Sequence, residues 1–286
     1  MTSRSQSQPV CVYTPASQLS DPARLARAML ADIGSSRELA WRLLLRNLSA
    51  RYRHTLLGWS WAFLPTLLTT AVFIHLQRAG YFAVGQMAVP YPVFVLAGLV
   101  LWQTFCDAVN MPLQMVQQSY SILTKINFPR EALIIAGVGE VLTSFVIRFA
   151  LLLGALFFFR VGISWTLIWV PFGVLVLVSL GVGFGLLLTP VGILYYDVAQ
   201  ALPLALYLWM FLTPVLYPVA PVHASFASAV NPISPLLNTT RSWLLTGAPE
   251  HIGGFFLSGV LAAGALLAGW LIYRLALPIL LERIGA

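Results

Sequence analysis

Three ionisable residues, Asp107, Glu140 and Arg148, lie inside long apolar stretches of this chain. A charge inside an apolar span is costly and often marks an ion pathway, a proton relay or a bond between helices. Glu140 and Arg148 are eight residues apart, so on a helix they share one face. At 1.5 Å per residue they stand about 12 Å apart along the axis, too far for a direct pair. Asp107 and Glu140 fall at similar depth from one end of their spans, and two buried acids close together would share a proton. Two chemistries follow: ion coupling through Asp107 and Glu140, or hydrogen bonding to Ser, Thr or Gln partners on neighbouring helices.

Other reaction chemistry is poorly supplied. A phosphate-binding loop needs Gly-Lys-Ser/Thr. The only lysine, Lys125, follows Thr124. If ATP drives this chain, a separate subunit binds it. A membrane transferase needs several acids or histidines near one membrane face. The outward loops offer Glu250, His223 and His251 without an acidic pair. Cys11 and Cys106 lie in a polar tail and inside a span, so neither a disulfide nor metal spacing is expected. Three glycines, Gly181, Gly183 and Gly185, lie inside an apolar helix, outside the strand–turn–helix context of a dinucleotide site. They predict close helix packing.

The elements that hold these residues follow from composition. The chain has 286 residues, 59% hydrophobic and 9% charged, with mean hydropathy +0.85. Apolar runs of about 20 residues recur, the length that crosses a hydrocarbon core of roughly 30 Å. This is an integral membrane protein of helices, because a lipid-exposed chain must satisfy its own backbone. Unbroken runs exclude a barrel, whose strands would alternate. Six spans are expected, near 57–77, 91–115, 132–159, 166–190, 199–217 and 254–277. Pro65 would lie inside the first.

Basic residues set the orientation. Arg4, Arg24, Arg27, Arg37, Arg42, Arg46, Arg51 and Arg53 precede the first span, Lys125 and Arg130 follow the second, and Arg274 and Arg283 close the chain. Only Arg78, Arg160 and Arg241 occupy the opposite loops. Both termini are therefore expected in the cytoplasm of a multi-pass inner-membrane protein. The net charge of +7 then reflects topology, and no nucleic-acid partner is needed. Residues 1–34 read as a disordered cytoplasmic tail. Ser35 and Glu38 have capping-box spacing, which predicts a helix over 35–53. Its basic side carries Arg42, Arg46 and Arg53, and its apolar side Trp41, Leu44, Leu45, Leu48 and Tyr52. Such a helix lies in the membrane surface, as an anchor or as a collar touching a cytosolic partner.

A polar island, QQSYSILTKINFPRE over 117–131, separates the second and third spans. Its charge, Asn-Phe-Pro turn and apolar patch exceed what a connecting loop requires. The loop after the fourth span, YYDVAQALP, carries Asp197. The outward segment 218–253 is too apolar for a free loop and too short to span, so it predicts short helices dipping back toward the membrane. Asn238-Thr239-Thr240 matches a glycosylation acceptor, a match expected by chance. The chain holds 9 Trp, 10 Tyr and 17 Phe. Tyr81, Tyr91, Trp102, Tyr207, Trp209 and Tyr217 map to the second and fifth spans and their ends. Such rings anchor interfaces, or line a path where sugars slide over an apolar face.

Four stretches carry a family likeness: 37–67 (RELAWRLLLRNLSARYRHTLLGWSWAFLPTL), 90–105 (PYPVFVLAGLVLWQTF), 122–133 (ILTKINFPREAL) and 212–218 (LTPVLYP, followed by NPISPLL). In these the chain resembles the permease subunit of type-2 ABC transporters, in the branch that exports cell-surface polysaccharide. The resemblance implies that 35–286 form the transmembrane domain. Two copies would pair around a channel, with two ATPase subunits docked beneath that hold ATP and Mg. The island would be a coupling helix seated on the ATPase, through Ile122, Leu123, Lys125, Phe128, Arg130 and Glu131. A lipid-linked glycan would thread outward along the aromatics, past an outer gate shaped by 218–253. This chain would itself be no enzyme. One departure is Tyr196 before Asp197, where the family often has arginine. The competing readings are a permease for a small drug or lipid, an ion-coupled carrier using Asp107 and Glu140, and a membrane transferase.

Overall fold

The computed structural model describes residues 22–52, 58–81, 87, 89–123, 130–162, 164–217, 231–248 and 252–285. Among these the chain is all helical. The elements are α1 (Pro22–Tyr52), a 3-10 turn (Gly58–Ala62), α2 (Leu64–Arg78), α3 (Tyr91–Leu123), α4 (Glu131–Phe158), a second 3-10 turn (Trp165–Trp169), α5 (Val170–Leu194), α6 (Tyr196–Leu212), α7 (Ile233–Leu245) and α8 (Ile252–Gly285). Four stretches are long and apolar enough to cross a membrane: Tyr91–Tyr120, Glu131–Phe158, Trp165–Leu194 and Ile252–Leu277.

The expected first and fifth spans are shorter than predicted, and prolines explain both. Pro65 stands in the first turn of α2 instead of mid-helix, where its missing N–H leaves nothing unsatisfied. The 15 residues of α2 reach about 22 Å at 1.5 Å per residue, less than the core of roughly 30 Å. α6 stops at Leu212 because Thr213 precedes Pro214 and adopts an extended conformation (φ −104°, ψ 140°), as the pre-proline position prefers. The predicted loop after the fourth span shrinks to one extended residue, Tyr195. Asp197 falls in the first turn of α6, where a carboxylate suits the helix dipole.

α1 corrects the predicted start at Ser35. It begins at Pro22 and continues unbroken through Ser35. Proline suits a first helical position, and ARLARAML is rich in good helix formers. Residues 22–34 are thus helical, not part of a tail, while 1–21 and Arg53 lie outside the described residues. α1 has three faces instead of two. Ser36 and Ala40 are buried, and Ala40 packs with Ala132 and Ala136 of α4. Trp41 and Leu45 stay exposed. Glu38 and Arg42 pair at the surface at 2.6 Å.

α3 is the central helix: 78% of its apolar window is buried, against 28% for α4 and 22% for α8. The remaining apolar surface of α4 and α8 suits lipid. α5 crosses closely on both sides because its glycines allow it. A methyl group on Gly181 would lie 2.7 Å from Ala108, and one on Gly185 2.4 Å from the Val109 carbonyl, both on α3. Gly183 meets α8, where a methyl group would sit 2.7 Å from the Ala265 backbone. The packing predicted from the glycine run is observed.

Candidate functional site

The polar island contributes to two different environments. Ile122 and Leu123 form the last turn of α3, Lys125 and Phe128 lie outside the described residues, and Arg130 is the residue before α4. Glu131 is turned into the bundle. Its side chain is 9% exposed and takes a bond from Arg274 Nη1 at 3.0 Å. The other guanidinium nitrogen of Arg274, Nη2, reaches Asp32 at 2.8 Å. One arginine of α8 therefore joins the start of α4 to α1, using both arms of its planar fork. Sequence reading missed this triad, since Asp32 and Arg274 are 242 residues apart. The available signal was an arginine inside the apolar run LIYRLALPILL, a cation that must find an acid.

The intramembrane charges find separate partners. Arg148 Nη2 meets Asp107 at 2.7 Å, and its Nε donates to the Ala62 carbonyl at 2.9 Å. Glu140 accepts from Asn47 of α1 at 2.8 Å, and Asn47 in turn accepts from Arg46. Glu140 and Arg148 do not pair, as their spacing requires. Asp107 and Glu140 do not pair either: Arg148 holds the first, and the Asn47 amide holds the second. The ion-coupled reading therefore loses its geometric basis.

The aromatic candidates divide by exposure. Trp102 is 2% exposed and Tyr91 7%. Trp102 lies 5.6 Å from Phe105, and Phe105 meets Trp209 edge-on at 6.1 Å. Tyr91, Trp102 and Phe105 are buried within the chain, and Trp209 is partly buried against them. They are buried because α3 has neighbours on every side. Tyr207, Tyr217 and Tyr81 are exposed. Tyr207 stacks edge-on with Phe211 at 5.5 Å, and Tyr217 donates to the Phe211 carbonyl at 2.9 Å. Tyr207 belongs to an open face of α6 that also carries Leu204, Leu208 and Leu212, Tyr217 follows it in the turn, and Tyr81 lies beyond α2.

The LTPVLYP stretch has its own hub, counted in the sequence only as an outward basic residue. Arg241 of α7 is buried and donates to the carbonyls of Pro214 at 3.0 Å and Val215 at 3.3 Å. Its other arm reaches Asn238 at 2.7 Å, and its guanidinium lies 3.8 Å from the Phe94 ring centre, a cation–π contact. Asn231 donates to Thr213 at 2.8 Å, and Tyr91 donates to the Leu216 carbonyl at 3.2 Å. The turn after α6, α7 and the start of α3 are thus one hydrogen-bonded unit.

Among the described residues no group of three or more His, Cys, Asp or Glu side chains could hold a metal ion. No protein-family model matches the chain. It is 27% identical over 219 residues to the O-antigen export system permease protein RfbA of Myxococcus xanthus, covering 75% of this chain and 83% of that protein. Two proteins of the same description from Klebsiella pneumoniae are 23% and 22% identical, each over 81% of this chain and 91% of their own length. These relatives agree with the family likeness read from the four motifs.

Proposed function

We propose that this chain is the membrane-spanning permease subunit of an ATP-driven exporter, which carries a lipid-linked, O-antigen-like polysaccharide across the inner membrane. The observation that carries this reading is the similarity to three O-antigen export permeases across 75–81% of the chain. The fold is compatible: helices long and apolar enough to span, and a polar loop between the first two of them. ATP is bound and hydrolysed on a partner ATPase, and this subunit supplies the path and the docking loop.

In this reading α2 and α6 complete a set of six spans, and both termini are cytoplasmic. The 117–131 loop faces the ATPase. Two copies of the chain and two ATPases form the working unit. Arg46, Asn47 and Glu140 tie the amphipathic helix to α4, so α1 is a collar fixed to the bundle. The open aromatic face of α6 contributes to the glycan path, and α7 with the turn at 213–217 shapes the outer gate.

The test is reconstitution. The chain is co-expressed with a candidate ATPase subunit, purified as a complex and placed in vesicles. ATP-dependent passage of a lipid-linked glycan is the expected result. A chain that captures no ATPase, or transport that needs only an ion gradient, would sink the reading.

A further inference from the structure

The Asp32–Arg274–Glu131 triad directly joins two helix pairs that are otherwise linked through α3, which packs against both α4 and α5. α1 packs along α4, and α8 packs along α5, while α8 makes no extensive contact with α1 or α4 among the described residues. Both pairings are tight. Leu44 of α1 covers Gly139 of α4, where a methyl group would lie 2.8 Å away. A methyl group on Gly269 of α8 would sit 2.7 Å from the Gly183 carbonyl of α5. Arg274 is the bridge between these packed pairs, with bonds of 3.0 Å to Glu131 and 2.8 Å to Asp32.

The chemistry of the bridge favours one state. Arg274 and Glu131 are each 9% exposed and Asp32 27%. Pulling Arg274 away from Glu131 would strand a charge in apolar surroundings, which is costlier than moving the partners together. An arginine fork held by two carboxylates also resists rotation. Glu131 is the last residue of the 117–131 loop, so displacement at that end of the loop passes directly to this cluster, as displacement at its start passes to α3.

α8 extends the connection across the bilayer. From Arg274 to Gly254 is 20 residues of one helix, about 30 Å at 1.5 Å per residue. There Gly254 lies against Pro235 of α7, where a methyl group would meet it at 3.1 Å. α7 carries Arg241, which grips the carbonyls of 214 and 215.

We propose that the triad makes the end of the 117–131 loop, α1 and the inner end of α8 a single rigid body, and that α8 delivers motion of this loop to α7 on the far side. The motor that moves the loop is the ATPase of the exporter reading, on which this inference rests. Arg274 is a positioning residue: it touches no substrate and acts through α8. Such a coupling runs through contiguous packed elements.

The experiment uses the full transporter with its ATPase in vesicles. The triple variant Asp32→Asn, Glu131→Gln, Arg274→Met removes the three charges together and leaves no stranded ion. It should bind the ATPase and hydrolyse ATP, while glycan exported per ATP falls by about 5- to 150-fold, the usual span of a coupling between sites. Export per ATP at the wild-type ratio would overturn the proposal. Should the triple variant not accumulate, Glu131→Leu keeps the Arg274–Asp32 pair and fills the apolar space. Hydrogen exchange with and without trapped ATP then decides. The expected pattern is an ATP-dependent change in the last turn of α3 that no longer reaches 233–245. A change that still reaches α7 overturns the proposal. Failure of the wild-type chain to capture an ATPase is a separate outcome: it removes the exporter reading and the motor together.

Discussion

Arg148 and Asp107 meet at 2.7 Å across the α3–α4 interface, and the same arginine reaches the Ala62 carbonyl before α2. One side chain therefore pins three elements. Asp107→Asn leaves the buried Arg148 without its charged partner, at a cost on the order of 3–5 kcal/mol, and Arg148→Met, which leaves the partly exposed Asp107, should cost less. The double substitution leaves no stranded ion and should recover much of the loss. Thermal unfolding of the four proteins in detergent gives the coupling directly. A loss in the double variant equal to the sum of the two single losses would mean the pair contributes little.

Helix packing makes a sharper contrast. Gly185 presses on the Val109 carbonyl and on Pro112, whereas Gly264 has nothing within 4 Å of an added methyl group. Gly185→Val should abolish accumulation of the folded chain, because backbone on α3 cannot move aside. Gly264→Ala should be neutral or stabilise by up to about 1 kcal/mol through helix propensity. Size-exclusion profiles of both variants decide it, and a well-folded Gly185→Val would refute the close-packing account.

Much of this was legible in the sequence, and what was not has a physical cause. Apolar runs near 20 residues revealed the long spans, since length and composition alone set them. The glycine run foretold close helix packing, though not its partners, because small residues have few other uses there. Helix ends at Pro65 and Pro214 were misjudged, as a proline both tolerates and terminates a helix depending on its register. The partners of Arg274 were hidden because they come from distant stretches, as do the 214 and 215 carbonyls held by Arg241. Ring exposure was equally hidden: Trp102 and Tyr207 look alike in sequence, and only the surroundings of α3 and α6 separate them.

Arg241 yields a test of the outer unit. Its fork serves two carbonyls, Asn238 and the Phe94 ring together. Lysine keeps the charge but cannot reproduce that geometry. Arg241→Lys should therefore destabilise the chain by about 1–3 kcal/mol for each polar group left unsatisfied. Cysteine labelling at Val215 should accelerate in the variant as the turn loosens. Unchanged labelling and unfolding would show that the charge alone suffices.

Loop chemistry makes a fourth prediction. Lys125 and Arg130 supply the positive charge of the 117–131 segment, and Glu131 is turned inward to Arg274. Reversal of both, Lys125→Glu with Arg130→Glu, should weaken ATPase capture and lower export while the chain itself accumulates normally. Proline at Ile122, which removes a backbone donor from the last turn of α3, should do the same. Pull-down of the ATPase measures the first step and vesicle transport the second. Normal export from both variants would show that docking lies elsewhere.

Aromatic substitutions separate core from path. Trp102 sits in a buried cluster with Phe105 and Trp209, so Trp102→Ala should cost about 3–5 kcal/mol as a large-to-small core change. Tyr207 is 57% exposed on α6, so Tyr207→Ala should leave unfolding nearly unchanged. If the open face of α6 carries glycan, that variant slows export several-fold through the loss of stacking, about 1–3 kcal/mol per ring by analogy with bases on aromatic platforms. Tyr217→Ala should act in the same direction. Transport rates normalised to folded complex distinguish the two roles. Wild-type rates in both tyrosine variants would assign this face to lipid or to the second copy of the chain, and the glycan path would then have to run along other residues.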